Sequence, residues 1–299
     1  TSILVAFDAL KIEEKKAINM AQLFLKTYSK VLNAGKANYI EPNTAKGIVY
    51  TFLAATAKRK KKDLLQKRTV KKNRTLALLL DDPKFFEIDN FLKRALCLHI
   101  TNWIMYNNDG PYNYEVVDAV FRLAGTGSVG LKRYVFLLKS LKENDKYILV
   151  EMKQCVASSL QPYVKIKQPK WKSEADRVVS IKTRIQNRPP ALLSSTIFND
   201  EPYLIQEMEP NKDKINFKLI KNRYRDIYQV IDDMAMLTAS SQLRSSGRQG
   251  SATTDELIAF SEKDNWQQEL LNYAIKYKKQ VKKDYAAFCS DYKNGVFKL

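Results

Sequence analysis

Six residues, Gly125-Thr126-Gly127-Ser128-Val129-Gly130, form a G-x-G-x-x-G between two short runs rich in β-branched and aromatic side chains, residues 116–123 and 132–138. That placement restricts the fold. The same pattern serves two unrelated phosphate sites: a dinucleotide-binding fold starts a helix at the loop, whereas a kinase-type loop joins two antiparallel strands. Leu131-Lys132-Arg133-Tyr134-Val135-Phe136-Leu137-Leu138 reads as a strand rather than a helix, which selects the hairpin. Glycines let the backbone approach phosphate oxygens with no Cβ in the way, and the exposed N–H groups can then cradle negative charge. A third apolar run, residues 147–152, ends on Lys153, where an ammonium could reach the α- and β-phosphates of a nucleotide. The candidate nucleotide-binding residues are therefore Gly125, Thr126, Gly127, Ser128, Gly130 and Lys153.

The remaining periodicity frames this hairpin with helices. Apolar residues recur at helical spacing over residues 1–34 (Leu4, Phe7, Leu10, then Ile18, Ala21, Phe24, Leu25, Tyr28), which predicts two helices. A third is expected over 45–57, and a fourth over 88–106 before the loop signal Asn107-Asn108-Asp109-Gly110-Pro111. The three β-rich runs predict an antiparallel meander. Helical spacing returns over 173–186, where Ser173 followed by Asp176 resembles a capping box with Asp in place of Glu. Two further strands are expected at 192–197 and 202–208, then helices over 224–243 and 255–292. Helices, a small sheet with one helix, and helices again make an α+β order, predominantly helical overall. The expected division is a helical segment of a large lobe at 1–110, a small β lobe at 111–210, and C-terminal helices of the large lobe at 211–299.

Charge and cysteine content narrow the function classes. The chain carries 51 Lys and Arg against 32 Asp and Glu, a net charge of +19, with 45% hydrophobic residues, enough to bury a core. Residues 58–74 alone hold ten Lys and Arg against one acid, Asp63, and read as an exposed connector or helix end. Such a run can neutralise nucleic-acid phosphates, but no zinc-finger spacing, RNP string or helix-turn-helix signature accompanies it, and aromatics are not interleaved in it. Nucleic acid is a partner the charge allows and the motifs do not favour. Cys97, Cys155 and Cys289 have no metal-ligand spacing, and no apolar stretch is long enough to span a bilayer, so a cytoplasmic, reducing setting is expected. The chain opens inside an apolar helical pattern without an initiating Met, which leads to the expectation of missing upstream sequence.

Several strings together carry a family resemblance. Phe121-Arg122-Leu123-Ala124 with the glycine loop, Arg133-Tyr134-Val135, Glu151-Met152-Lys153-Gln154, Ser158-Ser159-Leu160, Arg177-Val178-Val179, Gln186, Leu243-Arg244-Ser245-Ser246-Gly247 and Tyr285-Ala286-Ala287-Phe288 resemble the bacterial domain of unknown function 2252 family. The family looks like a circularly permuted member of the protein-kinase-like superfamily. The resemblance implies a two-lobe architecture in permuted order, with ATP and Mg²⁺ bound between a small antiparallel β lobe and a helical lobe, and phosphotransfer to an acceptor the sequence does not name.

Two departures accompany it. The family's G-D-x-H-x-x-N-F and N-D-F-D motifs, which would supply the base-like Asp and the metal ligands, precede the helices with which this chain begins and are not present. The chain as given is thus expected to be inactive, either as part of an ATP-dependent phosphotransferase or as a non-catalytic nucleotide-binding or scaffold pseudokinase. Ser180 stands where the family has the Glu that would pair with the lysine, with Glu174, Asp176 and Glu151 as imperfect substitutes. The only histidine, His99, copies an H-x-x-N spacing without the preceding Gly-Asp and reads as a core residue. Asp81-Asp82 and Asp232-Asp233 read as a turn and a solvated helix face rather than metal ligands. Gln206, Glu207 and Met208 are candidate hinge residues whose backbone would meet an adenine.

Overall fold

The computed structural model describes residues 1–58, 61–72, 75–80, 84–106, 110–143, 145–208 and 215–297. In chain order the elements are α1 (Ser2–Ala9), α2 (Glu14–Asn33), α3 (Gly47–Ala57), α4 (Lys61–Gln66), β1 (Thr69–Lys72), β2 (Thr75–Leu78), β3 (Phe85–Phe86) and α5 (Asn90–Tyr106). There follow β4 (Tyr114–Arg122), β5 (Arg133–Ser140), β6 (Tyr147–Gln154), α6 (Glu174–Ile185), β7 (Ser194–Phe198) and β8 (Glu201–Glu207). The chain ends with α7 (Phe217–Ile220), α8 (Tyr224–Ser245), α9 (Thr254–Ser261) and α10 (Trp266–Lys293). The fold is α+β, and every strand pair is antiparallel.

Two compact units emerge, one from Thr1–Ala57 with Lys214–Leu299 and one from Lys58–Asp213. The first unit is helical. On α8, Ile227, Val230, Ile231, Ala235, Ala239 and Leu243 recur three or four residues apart and are buried, the spacing that puts side chains on one helix face. The fully buried Ala239 shares a core with Val31 and Leu32 of α2, its small side chain allowing the helices to approach closely. A capping box closes the start of α9, Thr253 accepting from the Glu256 N–H while the Glu256 carboxylate accepts from the Thr253 N–H. The apolar pattern that predicted helix over 255–292 is interrupted: α9 stops at Ser261 and α10 begins after Asn265, whose φ of +65° does not continue a helix.

The second unit is built on a six-stranded sheet of order β3-β4-β5-β6-β8-β7. The predicted meander is there as β4, β5 and β6, and the two later strands are β7 and β8, joined by Asn199 and Asp200 with φ of +48° and +61°. Two consecutive positive φ values are what a tight hairpin turn matching the twist of its strands requires, and Asn and Asp tolerate them best after glycine. Because strand side chains alternate, one face of the sheet carries Tyr134, Phe136, Leu138, Val150, Met152, Tyr203 and Ile205, packed with Leu96, Ile100, Trp103 and Ile104 of α5. The opposite face buries Val135, Leu137 and Leu149 with Leu78 and Phe85, and Leu204 with Ala175 of α6.

Residues 58–110 therefore fold with the sheet, and the boundary between units falls at residues 57/58 rather than after residue 110. The reason is that the buried side chains of α5, Leu96, Ile100, Trp103 and Ile104, are all committed to the sheet, while Phe91, Leu98 and Met105 stay exposed. The described part of the basic run is helix and strand rather than a connector. It forms α4 and then β1, whose pairing with β2 (Thr69 opposite Leu78, Lys72 opposite Thr75) makes a ribbon. The ribbon is tied to the sheet by the Leu78 N–H, which donates to the Asp118 carboxylate at 2.8 Å. Asp81-Asp82 and the stretch Asn211 to Lys214 lie outside the described residues.

Candidate functional site

The glycine segment is a turn at the end of the β4–β5 hairpin. Gly125 has φ +84° and Gly130 φ +93°, while Thr126–Ser128 make a single 3₁₀ turn closed by the Ser128 N–H donating to the Gly125 carbonyl at 3.2 Å. A Cβ on Gly125 would sit 2.6 Å from Ser128 Oγ, whereas one on Gly127 would meet nothing within 4 Å. The two glycines thus do different work, Gly125 for the backbone and Gly127 for open space above it. Gly125→Ala is expected to cost about 1–2 kcal/mol from its left-handed backbone alone, with Gly127→Ala stable to within about 0.5 kcal/mol. Chemical denaturation of the two variants checks this, and equal losses would contradict it.

Lys153 lies near the end of β6, directly opposite Arg133 of β5 on one side and Leu204 of β8 on the other. Period-two alternation puts it on the same face as Glu151, the face covered by α6. No carboxylate lies within ion-pair distance of Lys153 among the described residues. Ser180 offers none, and Glu174 is taken by the Arg177 guanidinium at 2.6 Å. Ser173 caps α6 as predicted, accepting from the Asp176 N–H at 3.1 Å, but the Asp176 carboxylate reaches back to the Lys172 N–H rather than to that of Ser173.

Glu151 is not the exposed residue that its sequence neighbourhood suggests. It is 5% exposed and forms ion pairs with Arg122 of β4 and with Arg133, the latter at 3.3 Å to both carboxylate oxygens. Burial pulls the Arg122 guanidinium below its ordinary pKa even though Glu151 and its hydrogen bond act to raise it. The neighbouring Arg133 adds to the lowering. Sequence reasoning missed this cluster, since Arg122 and Glu151 lie 29 residues apart and only the strand register brings them together.

The hinge candidates are partly committed. The Gln206 side-chain oxygen accepts from Lys182 Nζ at 2.6 Å, the Glu207 N–H donates to the Ala191 carbonyl at 2.8 Å, and the Met208 N–H donates to the Leu149 carbonyl at 2.8 Å. Neither of those two N–H groups is left to donate to a base.

His99 belongs to the core side of the sheet. Its Nε2 is 2.9 Å from Thr196 Oγ1 and its ring lies 5.2 Å from that of Phe198, which ties α5 to β7. Burial lowers its pKa from 6.5, so the neutral ring is the folded form. The stability it supplies is complete above the unfolded value of 6.5 and is lost as pH falls below it. As the only imidazole in the chain, it should give one ¹H–¹⁵N ring signal titrating below 6.5, and a midpoint at or above that value would contradict the burial argument.

On α8, Asp232 accepts from the Thr27 hydroxyl, and burial raises the carboxyl pKa of Asp233, both unlike a cation site. Among the described residues no group of three or more His, Cys, Asp or Glu is placed to hold a metal ion. The three cysteines are free, and burial raises the thiol pKa of Cys97 and Cys155. No described helix is long and apolar enough to cross a membrane.

These features define an α+β protein in which an antiparallel sheet presents a glycine turn and a row of basic side chains. The chain belongs to DUF2252, the uncharacterised proteins conserved in bacteria, which it matches over residues 1–291. No curated protein and no solved structure matches it.

Proposed function

We propose that the second unit is the nucleotide-binding part of a kinase-like protein, with the glycine turn over the phosphates of ATP and Lys153 as a charge partner. The observation that carries this reading is the order of parts along the sheet. A glycine turn joins β4 to β5, a lysine stands near the end of the next strand β6, a helix α6 intervenes, and β7 and β8 follow, with β8 lying against β6. Protein kinases use a glycine-rich loop, a lysine on their third strand and a following helix in that sequence to hold ATP. The two-lobe permuted arrangement is the architecture this reading implies for the whole.

The residues around the turn suit an anion. Arg133 and Lys153 stand directly opposite each other, an unfavourable like-charge pair that a phosphate between them would relieve. They do not suit a metal ion, since Glu151 is committed to two arginines.

A reading without phosphotransfer has its own support: among the described residues Lys153 has no carboxylate of the kind that orients a catalytic kinase lysine, and Ser180 stands in α6 where the family resemblance implies one. Binding without transfer is accordingly the activity proposed for residues 1–299. Titration calorimetry with ATP, with and without Mg²⁺, tests it. Saturable binding weakened about tenfold or more by Lys153→Ala is expected, given the worth of a charged hydrogen bond. No binding by the unaltered chain would overturn the proposal, and ATP-dependent phosphorylation abolished by Lys153→Ala would overturn the restriction to binding.

A further inference from the structure

Continuing the β4–β5 register of Phe121 opposite Tyr134 by one residue sets Arg122 beside Arg133, and Arg133 is opposite Lys153. Three cations thus lie in one row across β4, β5 and β6, at the strand ends adjoining the glycine turn. Glu151 pairs with both arginines, and Lys153 has no carboxylate within ion-pair distance among the described residues. Arg133 is the member aimed at the turn. Its Nη1 is held by Glu151 at 3.3 Å, and its Nη2 lies 3.9 Å from where a Gly125 Cβ would be. That second nitrogen makes no hydrogen bond among the described residues, and it is the one that lies beside the glycine turn. A planar guanidinium held by a carboxylate at one nitrogen, Nη1, presents its remaining N–H groups in a restricted direction, which suits recognition of phosphate oxygens.

We propose that Arg133 is a phosphate-binding residue of this site, sharing a nucleotide polyphosphate with Lys153, and that Glu151 is its positioning residue. The job that a helix glutamate does for a kinase lysine is here done within the sheet, from β6, and on an arginine. The proposal rests on the nucleotide reading above and adds a residue and a ligand charge to it: Arg133 and Lys153, opposite each other, together suit a phosphate chain rather than an uncharged nucleoside.

Calorimetry of the full chain with ATP, adenosine and inorganic tripolyphosphate separates the two levels. Arg133→Gln is expected to weaken ATP and tripolyphosphate about tenfold or more, the loss of a charged hydrogen bond. Adenosine binding should stay within about twofold, because it makes no phosphate contact. Glu151→Gln should lower the ratio of ATP to adenosine affinity, a change that general loosening of the fold, which weakens both, does not produce. Arg133→Lys keeps the charge without the fork and should recover part of the loss, so it decides the matter if Arg133→Gln does not fold. ATP affinity unchanged in Arg133→Gln while Lys153→Ala loses it would overturn the role of Arg133 and leave the nucleotide reading standing. Tripolyphosphate binding that depends on Arg133, without ATP selectivity over it, would support the anion row and overturn the nucleotide reading. Absence of binding for all three ligands would overturn both.

Discussion

Glu151→Ala is expected to destabilise the protein by about 3–5 kcal/mol, the cost of breaking a buried ion pair by removing one of its members. The side chains of Glu151 and Arg122 are 7% and 4% exposed, so water cannot replace the lost carboxylate beside Arg122 without opening the sheet. Burial is the leading influence on Arg122 and works against its charge, with attraction to Glu151 second, so the pair only partly offsets its own desolvation. Removing one partner is therefore far worse than removing both. Glu151→Ala in an Arg122→Met background should cost much less than in the unaltered chain, and a denaturant double-mutant cycle measures the difference. A single-variant loss under about 1 kcal/mol would mean that the cluster is screened by solvent like a surface pair.

Phe136→Ala should cost about 3–5 kcal/mol, the range for truncating a buried aromatic and leaving a cavity. Phe136 is fully buried at the middle of β5, in the cluster where α5 brings Leu96, Ile100 and Trp103 down onto the sheet. The site is hard to collapse, because the sheet is packed on both faces and the next residue, Leu137, is equally buried on the other side. Val129→Ala, in the glycine turn and 66% exposed, is the matched control and should change stability by no more than about 0.5 kcal/mol. Comparable losses in the two variants, measured by chemical denaturation, would show that the α5–sheet core is not a main source of stability.

Much of the small β unit was legible along the chain. Short β-rich runs separated by turn residues declare their own strands, and a glycine pattern followed by Leu131-Lys132-Arg133-Tyr134 declares a hairpin rather than a helix start. Ser173 announced the start of α6 because an N-cap is a local bond, made to an N–H three residues away. The ribbon in the basic segment was not legible for the complementary reason. Lys71 and Lys72 are exposed on β1, and nothing local reveals that Thr69 and Leu78 pair or that Asp118, forty residues on from Leu78, ties the ribbon down.

Glycines, a strand and a lysine at its end were determined by the sequence alone, because each depends on neighbours within a few residues. The tertiary structure alone decided what surrounds that lysine. Which charges share a face, which carboxylate is spent on which arginine, and which cation keeps an edge free are consequences of register between strands, and register is set by the burial of Phe136, Val150, Met152 and Ile205 on one face and Val135, Leu137 and Leu149 on the other.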